Sequence, residues 1–148
     1  MGVTPWPEQY LLHIEAEVFI RNSAQCVFDG LLQQIGPDMT QPDGEAIPLA
    51  IEPWPGGRWY RNTGPQSGHL WGHVQVIKPP LLLEFSGPLF MSYPVVSHVQ
   101  FRLTERAGGV RLVVVHRAMG DILPQHRQAA KPGWQDLLLR IKKRCGDQ

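Results

Sequence analysis

The side chains able to do chemistry in this sequence are few. His69 and His73 stand four residues apart. On a helix that spacing can chelate zinc, but on a strand it separates the two by about 13 Å. Residues 68–78 alternate as a strand, so the pair is expected to hold no metal. His116 faces inward by parity, at the end of a strand near the last helix. An inward histidine can act as a general acid or base near neutral pH. It can equally be a buried ring with its hydrogen bonds satisfied. Glu84 alternates with Leu83 and Phe85 and so faces outward, and no other carboxylate falls beside His116. Cys26 falls in the first turn of a helix, where the dipole can lower a thiol pKa; its plainer role is a small buried residue. There is no Gly-x-Ser-x-Gly elbow. Gly56-Gly57 and Gly108-Gly109 are turn glycines, with no helix directly after them to make a phosphate loop. Catalytic residues are therefore unassigned, with His116 the sole candidate.

The aromatic residues say more. Trp59, Trp71, Phe85 and Trp134 fall on strands or helix, whereas Phe90, Met91 and Tyr93 fall in a loop, 87–94, bounded by Gly87, Pro88 and Pro94. Side chains so apolar must cover something, and the open end of a curved sheet is the nearest uncovered surface. We therefore expect a pocket with this loop at its mouth. Its walls would be Trp71, Phe85, Val99, Phe101 and His116, joined by Trp59 and by Trp134 and Leu138 of the last helix. A mostly apolar cleft with a few polar groups is the usual make-up of a small-molecule site.

These residues need elements to hold them. In residues 132–145, Trp134, Leu137, Leu138, Ile141 and Cys145 recur at helical spacing, with basic residues opposite. Such a short amphipathic helix is marginal alone, so its stripe needs a partner. The rest of the chain supplies one. Residues 10–20 alternate as a strand, and Asn22 or Ser23 can cap a helix ending at Gly36-Pro37. Further strands are read at 47–51, 58–62, 68–78 and 81–86, with Gly72 marking a bulge or close approach. Residues 95–104 and 110–118 form the clearest hairpin. Its facing pattern pairs Glu105 with Val110, Val99 with His116 and His98 with Arg117. Residues 120–131 read as a broken turn of helix. The result is an α+β chain: a curved antiparallel sheet of about six or seven strands wrapped around a C-terminal helix.

The chain of 148 residues fits one domain, with 1–9 as an extended arm. The net charge of +1 implies no nucleic-acid or membrane field. The basic cluster Arg140, Lys142, Lys143 and Arg144 has no aromatic platform beside it, so nucleic acid is not an expected partner. Cys26 and Cys145 make no disulfide framework or zinc set, which suits a reducing cytoplasm. No apolar run approaches a membrane span. No cofactor is implied, and a homodimer stays open.

Several stretches resemble the START-like, or Bet v 1-like (SRPBCC), superfamily with its helix-grip fold, and most closely its branch related to the activator of Hsp90 ATPase. They are residues 24–31, Pro55-Gly56-Gly57-Arg58-Trp59, residues 72–80 followed by Leu83-Glu84-Phe85, the hairpin of 99–116, and Gly133-Trp134. Their order and spacing carry the resemblance over about residues 12–145. The chain departs after the first helix, where the family often has tryptophans and this sequence has Gly36-Pro37-Asp38-Met39. The resemblance implies a deep pocket between sheet and C-terminal helix for apolar or amphipathic small molecules. Three functions follow as expectations. The first is non-catalytic binding of a hydrophobic, lipid-like or aromatic molecule. The second is a polyketide cyclase or dehydratase using His116. The third is a protein-interaction module of the Hsp90-activator kind.

Overall fold

The computed structural model describes residues 7–146. The expected arm falls mostly outside that range; within it, Glu8–Tyr10 form one 3-10 turn. Strand β1 (Leu11–Ile20) follows, then helix α1 (Ala24–Ile35), strands β2 (Ala50–Ile51), β3 (Arg58–Gly64), β4 (Ser67–Lys78), β5 (Leu82–Gly87), β6 (Val95–Arg106) and β7 (Gly109–Gly120), and helix α2 (Pro124–Arg144). The seven strands form one antiparallel sheet in the order β1-β7-β6-β5-β4-β3-β2. This is the helix-grip α+β architecture: a meander from β2 to β7, with β1 closing beside β7.

Each element follows from its residues. In β1 the alternation buries Leu12, Ala16 and Ile20 against the helices and leaves His13, Glu15, Glu17 and Phe19 outside. Ser23 caps α1, its hydroxyl accepting from the Cys26 backbone N–H at 3.1 Å, which satisfies one of the helix's orphan donors. The other end of α1 is tied to the sheet where Trp59 Nε1–H donates to the Ile35 carbonyl at 2.9 Å. The β6–β7 register pairs Glu105 with Val110, Val99 with His116 and His98 with Arg117, as the facing pattern requires. The core runs between the concave face of the sheet and the helices, through Ile20, Phe28, Leu31, Phe85, Phe101, Leu112, Leu138 and Ile141.

Three local expectations are corrected. The final helix begins at Pro124, eight residues before Pro132, which lies inside it. Proline at a helix start costs nothing, since its missing N–H would be unpaired there. Apart from His126, Gln125 to Lys131 are good helix formers, and packing carries the helix through Pro132 despite the lost bond. Strand β2 keeps only Ala50 and Ile51; Ile47 and Leu49 are buried as expected but run in irregular chain. Cys26 is exposed rather than buried, because α1 buries Val27, Phe28, Leu31 and Ile35 and Cys26 falls outside that stripe.

Candidate functional site

The first device that shapes the site is a bulge. Between Trp59 and Tyr60 the β3–β4 register slips, so that Trp59 faces Gly72 while Tyr60 faces Leu70. Trp71 is the extra residue. Simple alternation from the inward Val74 would send Trp71 and His69 outward. The bulge turns both onto the concave face and sends Leu70 out, where it is 46% exposed. Gly72 is needed because a Cβ there would sit 2.6 Å from the Ser86 carbonyl oxygen. His73 stays outside beside Arg58, so His69 and His73 lie on opposite faces of the sheet.

Between the sheet and α2 lies a cavity of about 400 Å³, within the roughly 300–1,000 Å³ of small-molecule sites. Its apolar wall comes from Leu12, Ile47, Trp71, Leu89, Phe90, Met91, Ile122, Ala129, Ala130, Trp134 and Leu137. The 88–94 loop covers it. Leu89 takes a left-handed φ of 59°, a conformation that L side chains adopt with strain. Burial of its side chain and a hydrogen bond from its N–H to the Trp71 carbonyl, 2.8 Å, hold it there. Phe90 is 45% exposed and meets Trp71 and His126 with ring centroids 6.0 and 5.0 Å away.

The sequence-derived site residues divide. Trp71, Phe90, Met91, His116 and Trp134 line the cavity. Trp59, Phe85, Val99, Phe101 and Leu138 do not; they are fully buried in the core beneath it, since parity places a side chain on the concave face without saying how deep it packs. Tyr93 is not at a free rim. Its hydroxyl lies 2.8 Å from His126 Nδ1 and accepts from the Leu123 N–H at 3.3 Å. Sequence reading missed Arg61, His126, Thr40 and Gly133, all on the lining. A signal existed for Arg61, which shares the inward parity of Trp59.

His116 is 2% exposed. Trp134 Nε1–H donates to its Nδ1 at 3.0 Å, and its Nε2 lies 3.0 Å from Ser97 Oγ. An indole nitrogen can only donate, so Nδ1 is the acceptor and Nε2 carries the proton, donated to Ser97. Burial pushes the His116 pKa down to about 4. The ring is therefore neutral near pH 7, in one tautomer, with both nitrogens bonded to protein. Glu84 is no partner for it. Burial raises the Glu84 carboxyl, but hydrogen bonds from Gln100 and His98 on the outer face outweigh this and leave it below its ordinary value. The Cys145 thiol offers no alternative, as burial pushes it up to about 11, and Cys26 lies on the exposed side of α1, off the cavity lining. Among the described residues no cluster of His, Cys, Asp and Glu could hold a metal ion, and no helix is long and apolar enough to cross a membrane.

Residues 45–146 match the family described as "Activator of Hsp90 ATPase homolog 1-like protein". The chain belongs to that family. Solved structures share the fold of this Hsp90-activator-like chain at low identity. A protein from Chromobacterium violaceum superposes with a TM-score of 0.72 at 15% identity, covering 92% of this chain and 98% of that one. DynU16, from the dynemicin biosynthetic locus, gives 0.62 at 17%, covering 88% and 46%. The di-domain ARO/CYC StfQ of the steffimycin biosynthetic pathway gives 0.55 at 16%, covering 93% and 45%. The chain thus spans about half the length of each of the latter two. No curated protein matches it in sequence.

Proposed function

We propose that the protein binds an apolar or amphipathic small molecule in the cavity between sheet and α2, without catalysing its conversion. The observation that carries this reading is Gly133. It sits inside a 21-residue helix, where glycine costs about 1 kcal/mol relative to alanine. A Cβ built on it meets nothing within 4 Å, so no neighbour demands its absence. What its missing side chain leaves is room in the cavity that it lines with Ala129 and Ala130. Stability is given up where the return is volume. The cyclase or dehydratase alternative would need His116 to exchange a proton with a ligand, but Trp134 and Ser97 already occupy both its nitrogens.

The test separates folding from binding. Gly133→Leu should raise stability by about 1 kcal/mol through helix propensity and fill the cavity. Titration of the neutral probe N-phenyl-naphthylamine should show one saturable site on the wild type and at least about tenfold weaker binding to the variant, since a filled pocket loses its apolar contacts. A variant that is more stable and binds equally well would refute the reading. Native mass spectrometry of protein from its own source would then identify the ligand as a mass adduct.

The interaction reading rests on a different observation. Leu11, Val96 and Met119 are exposed and adjacent through the register of β1, β7 and β6, an outward apolar stripe that a partner chain or a homodimer would cover. Met119→Glu should abolish any concentration-dependent mass increase in sedimentation and leave probe binding intact; a mass that stays monomeric throughout would count against the stripe as a contact.

A further inference from the structure

The polar groups on the cavity wall are spent unequally. His116 and His126 are bonded to protein partners, and Asp136 is neutralised by Arg140 at 2.7 Å. Arg61 is different. It lines the cavity, half-buried, and among the described residues its guanidinium has no hydrogen-bond or ion-pair partner. Thr40 Oγ1, also on the lining, is buried and likewise without a partner among them. A guanidinium offers five donors in a planar fork, and polar groups withdrawn from water cost free energy until they are paired. The wall carries Arg61 and Arg140 against Asp136 alone, one positive charge in surplus. His69 lies opposite Arg61 across the β3–β4 pair, brought to the same face by the Trp71 bulge.

Building on the binding reading above, we propose that the ligand is an amphipathic acid. Its flat apolar body lies between α2 and the Trp71–Met91 wall. Its single oxyanion, a carboxylate, sulfonate or phosphate, is gripped by Arg61 with His69 as a second donor. Bidentate pairing of a guanidinium with an oxyanion is among the strongest neutral-pH contacts available to a side chain. The apolar wall supplies burial, and Arg61 sets which end of the ligand faces the β3–β4 side.

Two probes of nearly one shape test this, N-phenyl-naphthylamine and anilinonaphthalene sulfonate, which differ by the sulfonate. On the native chain the sulfonate probe should bind competitively with the neutral one and about tenfold more tightly. Arg61→Gln should erase that preference, weakening the sulfonate probe about tenfold more than the neutral one; Arg61→Lys should restore part of it, since lysine keeps the charge and loses the fork. If the neutral probe binds but the sulfonate probe binds no better, or keeps its advantage in Arg61→Gln, the head-group assignment falls and the binding reading stands. If neither probe binds, both fall.

Discussion

His116, with both ring nitrogens bonded to protein, is energetically consequential. Its ring is sealed at 2% exposure and held in one tautomer by Trp134 and Ser97. In the unfolded chain it titrates near its ordinary value of about 6.5; in the fold, burial holds it down to about 4. Between those values the unfolded state binds more protons, so stability rises with pH there. The contribution is complete above about pH 6.5, is lost as pH falls toward 4, and amounts to roughly 3 kcal/mol. Gln in its place keeps an acceptor for Trp134 and a donor for Ser97 but does not titrate. Denaturant unfolding at pH 7 and pH 4 should therefore show wild type losing roughly 3 kcal/mol more than His116→Gln. Equal losses in the two proteins would mean the ring is reachable by protons and open to the acid–base role. Parity alone placed His116 inward and opposite Val99. It could not show that a helix residue 18 positions away would occupy its second nitrogen, because that contact depends on how α2 crosses the sheet.

At the scale of elements, the meander of successive strands and the β6–β7 register were readable and boundaries were less so. The β6–β7 pairing followed from which residues could face one core, since a one-residue slip would turn every side chain over. The final helix was read from Pro132 because a proline ordinarily stops a helix; the start at Pro124 depends on tertiary anchors. Arg127 donates to the Leu11, Gln9 and Glu8 carbonyls at 2.6, 2.8 and 3.3 Å, tying the helix's first turns to the beginning of β1. Gly72 announced a bulge or a close approach, and it serves both. Its Cα faces Gly87 so closely that a Cβ on Gly87 would lie 2.4 Å from it. Gly72→Ala must push β5 away or undo the bulge that presents Trp71 and His69. Overpacking of this kind costs about 1–3 kcal/mol, and probe affinity should fall with it because the cavity wall is displaced. A Gly72→Ala protein with unchanged melting temperature and binding would show that the two strands have slack the packing does not suggest.

Across the whole molecule, the cavity is a meeting place of segments far apart in sequence. Leu12 comes from β1, Thr40 and Ile47 from the chain after α1, Trp71 from β4, Phe90 and Met91 from the covering loop, and Trp134 and Leu137 from α2. This is why lining residues were only partly legible. Periodicity reports which face a residue occupies, but whether that face meets solid core or open space is decided by elements from both ends of the chain. The same arrangement makes a whole-molecule prediction. A ligand seated there touches segments from both ends of the chain that come together only on folding, so it binds the folded state and not the unfolded one. At a free concentration about 100 times its dissociation constant, such a ligand stabilises the fold by roughly 2.7 kcal/mol. For a chain of this size that raises the melting temperature by about 5–10 °C. Hydrogen exchange should slow together in the 88–94 loop, the first half of α2 and the beginning of β1, because all three close on the same occupant. A probe that fluoresces on binding yet leaves both the melting temperature and those three segments unchanged would be sitting on the surface, and the cavity would lose its claim as the binding site.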